Sequence, residues 1–148
     1  MLQLSSFEER LLLKIARRSV EGYLSKATPD PIEVPEGPLR EPYGVFVSIH
    51  KGDQLRGCIG RIQPTDALSR TVGECAVSAA VGDPRFLPVG PAELAELKFE
   101  ISVLSPPERI AEAGEIEIGR HGLLIERGDR QGLLLPQVAA QDGWDCSE

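Results

Sequence analysis

Residues 43–62, which read YGVFVSIHKGDQLRGCIGRI, set the fold that the sequence predicts. Apolar side chains recur at every second position over 45–49, and this period of two predicts a strand over 43–50. Residues 51–54 are typical of a turn, and residues 55–62 return to a strand-like pattern. The segment is therefore expected to form a β-hairpin.

The N-terminal segment is predicted to be an amphipathic helix over 6–24. Ser6 and Glu9 have the spacing of a capping box, in which each side chain accepts from the other residue's backbone amide. The apolar residues that recur at helical spacing are Phe7, Leu11, Leu12, Ile15, Ala16, Val20 and Tyr23. Five prolines within 25–42 then predict an extended connector, because proline fits neither a helix interior nor a central strand.

A second helix is predicted over 66–81, with Thr65 as its N-cap. The residues that share its apolar face are Leu68, Val72, Cys75, Ala76 and Ala79. Since these side chains are small, the helix is expected to pack closely on a sheet, with Cys75 as a packing residue. A short helix over 91–96 and a half-buried strand over 97–104 are predicted to follow.

The last part of the sequence predicts short elements. Strands are expected over 115–118, 123–126 and 132–135, the last two as a hairpin. Residues 136–148 are predicted to be helical or irregular. No terminal helix that would close the domain is expected after Trp144. The alternation of helices with hairpins predicts the α+β class, with an antiparallel or mixed sheet and flanking helices.

Composition predicts one domain over 1–148, because 148 residues with 41% hydrophobic content are enough for a sizeable core. The net charge of -7 disfavours broad electrostatic binding of nucleic acids or anionic membranes. The sequence has no apolar run long enough for a membrane span and no secretory signal, so the expected location is the cytoplasm.

The three cysteines are Cys58, Cys75 and Cys146, and none belongs to a CxxC pair. An odd count without a signal argues against a disulfide framework, and the spacing does not fit the usual structural zinc site. Reduced thiols are therefore expected, and neither a metal nor a cofactor is predicted.

Residues 55–60, Leu-Arg-Gly-Cys-Ile-Gly, are the strongest candidate for a functional segment. Strict alternation would place Arg56, Cys58 and Gly60 on one face of the strand. A nearby cation favours the reactive thiolate, and glycines within a strand accompany a bulge or the close approach of a ligand or backbone. The alternative is structural, since free cysteine often packs as a small buried hydrophobe. On spacing alone, both interpretations stay open.

The same six residues resemble the signature of the AMMECR-type domain family, named for the AMME-syndrome candidate gene product. Three further segments resemble this family in order and separation: 83–86 (Asp-Pro-Arg-Phe), 100–105 (Glu-Ile-Ser-Val-Leu-Ser) and 132–139 (Gly-Leu-Leu-Leu-Pro-Gln-Val-Ala). Gly143-Trp144 lies where the family has a similar pair. The resemblance extends over nearly the whole chain from the first helix onward.

The resemblance implies an α+β fold with two unequal subdomains around a cleft lined by residues 55–60. It also implies association with a Memo-like protein and a radical-SAM enzyme, but it assigns no reaction. We therefore predict a protein that binds or processes a small, anionic ligand. A non-catalytic scaffold for partner proteins is the alternative, and a nucleic-acid-associated regulator is disfavoured by the net charge.

In this prediction Cys58 is the candidate catalytic residue, which would contact or attack the ligand. Arg56 would hold an anionic group of the ligand. Gly57 and Gly60 would allow the ligand to approach the strand closely.

Two further ligand contacts are predicted outside the hairpin. Arg85, together with Asp83 and Phe86, would place a charge and an aromatic ring at the cleft mouth; the alternative is a turn at Asp83-Pro84, with Arg85 in an ion pair and Phe86 in the core. Glu100 would pair with the arginine of the hairpin or act as an acid or base; the alternative is a solvated sheet face. His50 and His121 are the only imidazoles, and either is a minor candidate to approach the thiol.

Overall fold

The hairpin is confirmed and is part of a three-stranded sheet, with its first strand at the centre, in the computed structural model, which describes residues 2–143. Strands β1 (Gly44–Lys51) and β2 (Gln54–Arg61) pair in antiparallel orientation. The turn between them uses Gly52 at φ +61°, a conformation that glycine adopts without steric cost. Strand β3 (Leu97–Leu104) pairs with the other edge of β1, which gives the strand order β2-β1-β3.

A bulge interrupts the hairpin. Ile49 lies opposite Gly57, but its neighbour His50 lies opposite Leu55, so that Arg56 is an extra residue on β2. The prediction that Arg56 shares a face with Cys58 by strict alternation is therefore wrong. A bulge changes the direction of the side chain at the extra residue, and alternation along one strand does not reveal it.

Two helices, α1 (Ser6–Ser25) and α2 (Leu68–Val81), cover one face of this sheet. The apolar positions of β1 point towards these helices, and Val45, Val47 and Ile49 are each 0% exposed. The other fully buried large side chains of this core include Leu12, Val20, Leu39, Leu68, Val72, Cys75 and Leu97. Within residues 2–143, no helix has both the length and the apolarity that a membrane crossing requires.

The N-cap of helix α1 lies one residue earlier than predicted. Ser5 is the N-cap, its hydroxyl accepts from the Glu8 amide at 3.2 Å, and the Glu8 carboxylate accepts from the Ser5 amide at 2.8 Å. The sequence offers two serine–glutamate pairs with the same spacing, and local pattern alone does not choose between them. Phe7 and Tyr23, assigned to the buried face, are 58% and 57% exposed because they lie at its margin.

The second helix begins later than predicted. Its N-cap is Ala67, which has no side-chain cap, so the assignment of this role to Thr65 is wrong. Within the proline-rich connector, a single 3₁₀ turn at Pro38–Arg40 buries Leu39. The prediction that this connector is extended throughout is therefore also wrong. The short helix predicted after α2 is confirmed as a 3₁₀ helix at Pro91–Glu96.

The chain divides into two compact units, Met1–Pro106 and Pro107–Glu148, and the elements above belong to the first. The second contains the predicted hairpin, with β4 (Leu123–Arg127) and β5 (Arg130–Leu134), followed by α3 (Pro136–Asp142).

The strand predicted over 115–118 is absent from the described second unit, where a 3₁₀ turn lies at Ala113–Glu115. The Glu115 carboxylate accepts from the amides of Ala111 and Glu112, both at 2.9 Å, and holds this turn. The α+β class is confirmed. The expectations for Trp144 and Cys146 lie outside the described residues.

Candidate functional site

One face of the three-stranded sheet is polar and carries two of the predicted functional side chains, Cys58 and Glu100. Because side chains alternate along a strand and the odd-numbered residues of β1 face the helices, Ser48 and His50 point to the opposite side. Ser48 lies between Cys58 on β2 and Glu100 on β3 in the strand register. We call Ser48, His50, Cys58 and Glu100 the polar face.

The thiol at this face is partly accessible and hydrogen-bonded. Cys58 is half-buried and free, and the Ser48 hydroxyl donates to its sulfur at 3.2 Å. Cys75 differs, because it is 1% exposed on α2 and burial raises the pKa of its thiol. The prediction that Cys75 is a packing residue is confirmed, and of the two cysteines within residues 2–143, Cys58 is the more accessible.

The Asp83 carboxylate fixes the strand at Cys58. Its side chain is 2% exposed, and one oxygen accepts from the Cys58 backbone amide at 3.0 Å. The same carboxylate accepts from the Arg85 amide at 3.1 Å, from Nε at 3.0 Å and from Nη2 at 2.7 Å. The Arg85 guanidinium holds the pKa of Asp83 well below its usual range, and the two backbone amides add to this effect against the cost of burial.

Arg85 connects this carboxylate to the polar face. Its side chain is 58% exposed, its Nη2 also donates to the Cys58 carbonyl at 3.4 Å, and the Asp83 carboxylate raises its pKa. The guanidinium carbon lies 5.4 Å from the centre of the Phe86 ring, within the range of a cation–π contact. The structure therefore brings Arg85 beside Cys58 and orients it by contacts on two sides.

Glu100 and His50 are in contact across β1 and β3. The imidazole Nε2 lies 3.6 Å from a Glu100 carboxylate oxygen, with 33% and 55% of the two side chains exposed. Glu100 thus meets His50, and Arg56 has a different partner. His121 lies in the second unit, where its Nδ1 accepts from the Glu117 amide at 3.1 Å.

Arg56, the predicted anion contact, is engaged elsewhere. Its guanidinium donates to the Glu93 carboxylate at 3.1 and 3.2 Å and to the Leu87 carbonyl at 2.6 Å, and 17% of its side chain is exposed. Arg56, the Gly90 amide and Lys51 together lower the pKa of Glu93 to about 2. These contacts tie the segment after α2 to the hairpin, so the bulge residue has a structural role.

The two glycines of the segment serve close packing of protein atoms. A Cβ on Gly57 would collide with the Ala79 carbonyl oxygen of α2. A Cβ on Gly60 would collide with the Phe46 ring and the Val45 carbonyl. The structure thus places α2 and β1, respectively, where the sequence predicted the close approach of a ligand.

The sequence of the whole chain was also compared with known proteins, and residues 13–148 match the AMMECR1 family. The chain belongs to the AMMECR1 family. This confirms the family that the sequence predicted.

AMMECR1-family relatives in archaea are similar over most of this chain. A protein of Methanothermobacter thermautotrophicus is 46% identical over 153 residues, covering 98% of this chain and 79% of the relative. A protein of Methanopyrus kandleri is 44% identical over 147 residues, covering 93% of this chain and 71% of the relative. The crystal structure of an uncharacterized protein from Pyrococcus horikoshii matches with a TM-score of 0.84 at 41% identity, covering 93% of this chain and 73% of that one.

One residue of the candidate site, Ser48, was missed by sequence reasoning, which used it only as a polar position in a strand. Asp83 was predicted at the cleft mouth with Arg85 and Phe86, but its anchoring role was not predicted; it is one of two buried polar or charged residues in the described chain. The Asp-Pro dipeptide was a signal for a fixed loop, but its contact with β2 depends on tertiary structure. No group of three or more His, Cys, Asp or Glu residues suited to a metal ion occurs within residues 2–143.

Proposed function

We propose that this AMMECR1-family protein binds a small molecule with an anionic group at the polar face, with Arg85 as its cationic contact and Cys58 against the bound molecule. The observation that carries this proposal is the buried Asp83 carboxylate, which holds the Cys58 amide and the Arg85 guanidinium at the same time. A preformed arrangement of this kind reduces the entropy lost on binding. The proposal also includes the cytoplasmic location predicted from the sequence and the Memo-like and radical-SAM partners implied by the family.

The guanidinium geometry favours recognition by directed hydrogen bonds. Asp83 engages Nε and Nη2 of Arg85, which leaves the Nη1 side of the planar group for a ligand. A hydrogen bond to a charged partner contributes about 1.5–3 kcal/mol, so losing it would weaken binding about 10- to 150-fold. Arg56 is not assigned this role, because Glu93 and the Leu87 carbonyl occupy its guanidinium.

The experiment measures binding and protection of the thiol together. Inorganic phosphate and a panel of mono- and dicarboxylates are titrated by calorimetry, and each binder is then tested for slowing the alkylation of Cys58 by iodoacetamide. Arg85→Gln is compared with Arg61→Gln, a matched control in which another half-exposed arginine loses its carboxylate partner, Glu74. Arg61 pairs opposite Val45 and so faces the helices.

The expected result is a ligand that protects Cys58 and binds at least about tenfold more weakly to Arg85→Gln, with Arg61→Gln close to wild type. Equal weakening in both variants would attribute the effect to general charge. A ligand that binds without protecting Cys58 would place its site elsewhere. Either outcome overturns the proposal.

A protein-binding scaffold is the second candidate, and one observation favours it. Leu87 is 83% exposed and Leu55 is 38% exposed, and both adjoin Arg56, the first through its carbonyl and the second in sequence. An exposed apolar patch next to charged side chains can serve as a protein-contact surface. Binding to a Memo-like protein should then be weakened by Leu87→Ser and kept in Cys58→Ser; a loss in the second variant alone would contradict the scaffold.

A further inference from the structure

We propose that His50, oriented by Glu100, accepts the proton of the Cys58 thiol, so that the sulfur attacks an electrophilic carbon of the ligand held by Arg85. This inference rests on the proposed function for its ligand, but the proton transfer itself can be tested without that ligand. It assigns a role in thiol chemistry to the His50 imidazole, which the sequence made only a minor candidate to approach the thiol.

The strand order supports this assignment. Cys58 lies on β2, His50 on the central strand β1 and Glu100 on β3, so His50 is a diagonal neighbour of both the thiol and the carboxylate. Cys58 is opposite Ser48, and His50 is two residues further along the same face. Such diagonal neighbours have Cα atoms about 7–8 Å apart, within the combined reach of a cysteine and an imidazole.

The carboxylate selects which imidazole nitrogen can accept a proton. Nε2 of His50 lies 3.6 Å from the Glu100 carboxylate, which favours the tautomer with the proton on Nε2. Nδ1 is then the accepting nitrogen, and the imidazolium formed after transfer is stabilised by the same carboxylate. This is the general arrangement of nucleophile, base and orienting acid, assembled here from three adjacent strands.

The hydroxyl of Ser48 contributes to the same step. It donates to the Cys58 sulfur at 3.2 Å, so the sulfur that loses its proton keeps one hydrogen-bond donor. In the reaction, the S–H bond breaks and its proton moves to His50 Nδ1 while a sulfur electron pair forms the S–C bond. The leaving group departs with the bonding electron pair and takes up the proton from the imidazolium or from water.

Iodoacetamide tests the first part of this step, because iodide is its leaving group and no natural ligand is needed. The rate is followed at each cysteine separately by peptide mass mapping, with the buried Cys75 as the internal reference. His50→Gln should slow alkylation of Cys58 about 100-fold, the lower end of the range for loss of a general base. Glu100→Gln should slow it less, and His121→Gln is the matched control with no expected effect.

A second variant separates chemistry from structure. His50→Gly should be slow, and added imidazole should restore its rate at Cys58 in a concentration-dependent manner. No restoration, or a wild-type rate in His50→Gln, overturns the proposal. Calorimetry of His50→Gln with the small anion that binds best distinguishes the two proposals. Retained binding with a wild-type alkylation rate refutes the proton transfer alone. Absence of any anion that protects Cys58 refutes the proposed function.

Discussion

Replacement of Asp83 is the perturbation whose size follows most directly from the structure. Asp83→Ala removes the acceptor of two backbone amides, those of Cys58 and Arg85. Leaving a buried donor without a partner costs about 1–3 kcal/mol, and the half-buried position of Cys58 favours the lower part of that range. The guanidinium is 58% exposed and regains water, so its lost ion pair adds about 0–1 kcal/mol.

The free energy of unfolding should therefore fall by about 2–4 kcal/mol in Asp83→Ala, and by less in Asp83→Asn, which keeps one acceptor oxygen. Urea unfolding followed by circular dichroism of the helices measures this change. Asp30→Asn is the control, because that side chain is exposed in a loop and its replacement should alter stability by less than about 0.5 kcal/mol. Equal stability of Asp83→Ala and the control would refute the role of Asp83 as an anchor.

The pH dependence of the same variants provides an independent test. The pKa of Asp83 is lowered in the folded state, so its contribution is complete above about pH 4, the ordinary range of an unfolded aspartate, and is lost as the pH falls further. The difference in stability between wild type and Asp83→Asn should be constant from pH 7 to about pH 5 and should shrink below about pH 4. A difference that grows on acidification would contradict the ion pair.

Three further predictions concern packing, charge and capping. Gly57→Ala should lower the free energy of unfolding by about 2 kcal/mol or more because its Cβ meets backbone, whereas Gly132→Ala, with open space around it, should stay within about 0.5 kcal/mol in the same urea assay. Glu93, with a folded pKa of about 2, should stabilise the protein above about pH 4.5, and this contribution, measured against Glu93→Gln, should be lost towards pH 2. Ser5→Ala should lower stability by about 1 kcal/mol and Ser6→Ala by much less, because only the former caps α1.

The elements themselves were largely predictable, because each has a local cause. The apolar period of two gave both strands of the hairpin and β3, and the helical period gave α1 and α2. The errors occur where two equivalent local signals compete or where contacts with distant residues determine the local structure. Ser5 and Ser6 each precede a glutamate at capping distance, and only the backbone conformation of the folded helix separates them.

The bulge at Arg56 shows why the site was less predictable than the fold. Alternation along β2 places this arginine beside Cys58, but the register shift turns it towards Glu93 and the carbonyl of Leu87, residues more than thirty positions away. Such a shift depends on contacts made only after the chain has folded, so a pattern read along one strand misses it.

The polar face also depends on contacts made only after the chain has folded. Ser48 and Cys58 could each be placed on the side of a strand away from the helices, but their contact with each other, and the position of Glu100 beyond them, require the strand order β2-β1-β3. The contacts of the two arginines consequently differ from those predicted. The arginine within the motif holds a loop to the hairpin, while Arg85, placed after a turn, reaches the thiol's strand through Asp83. A ligand at Cys58 would therefore meet the cation that the motif does not contain.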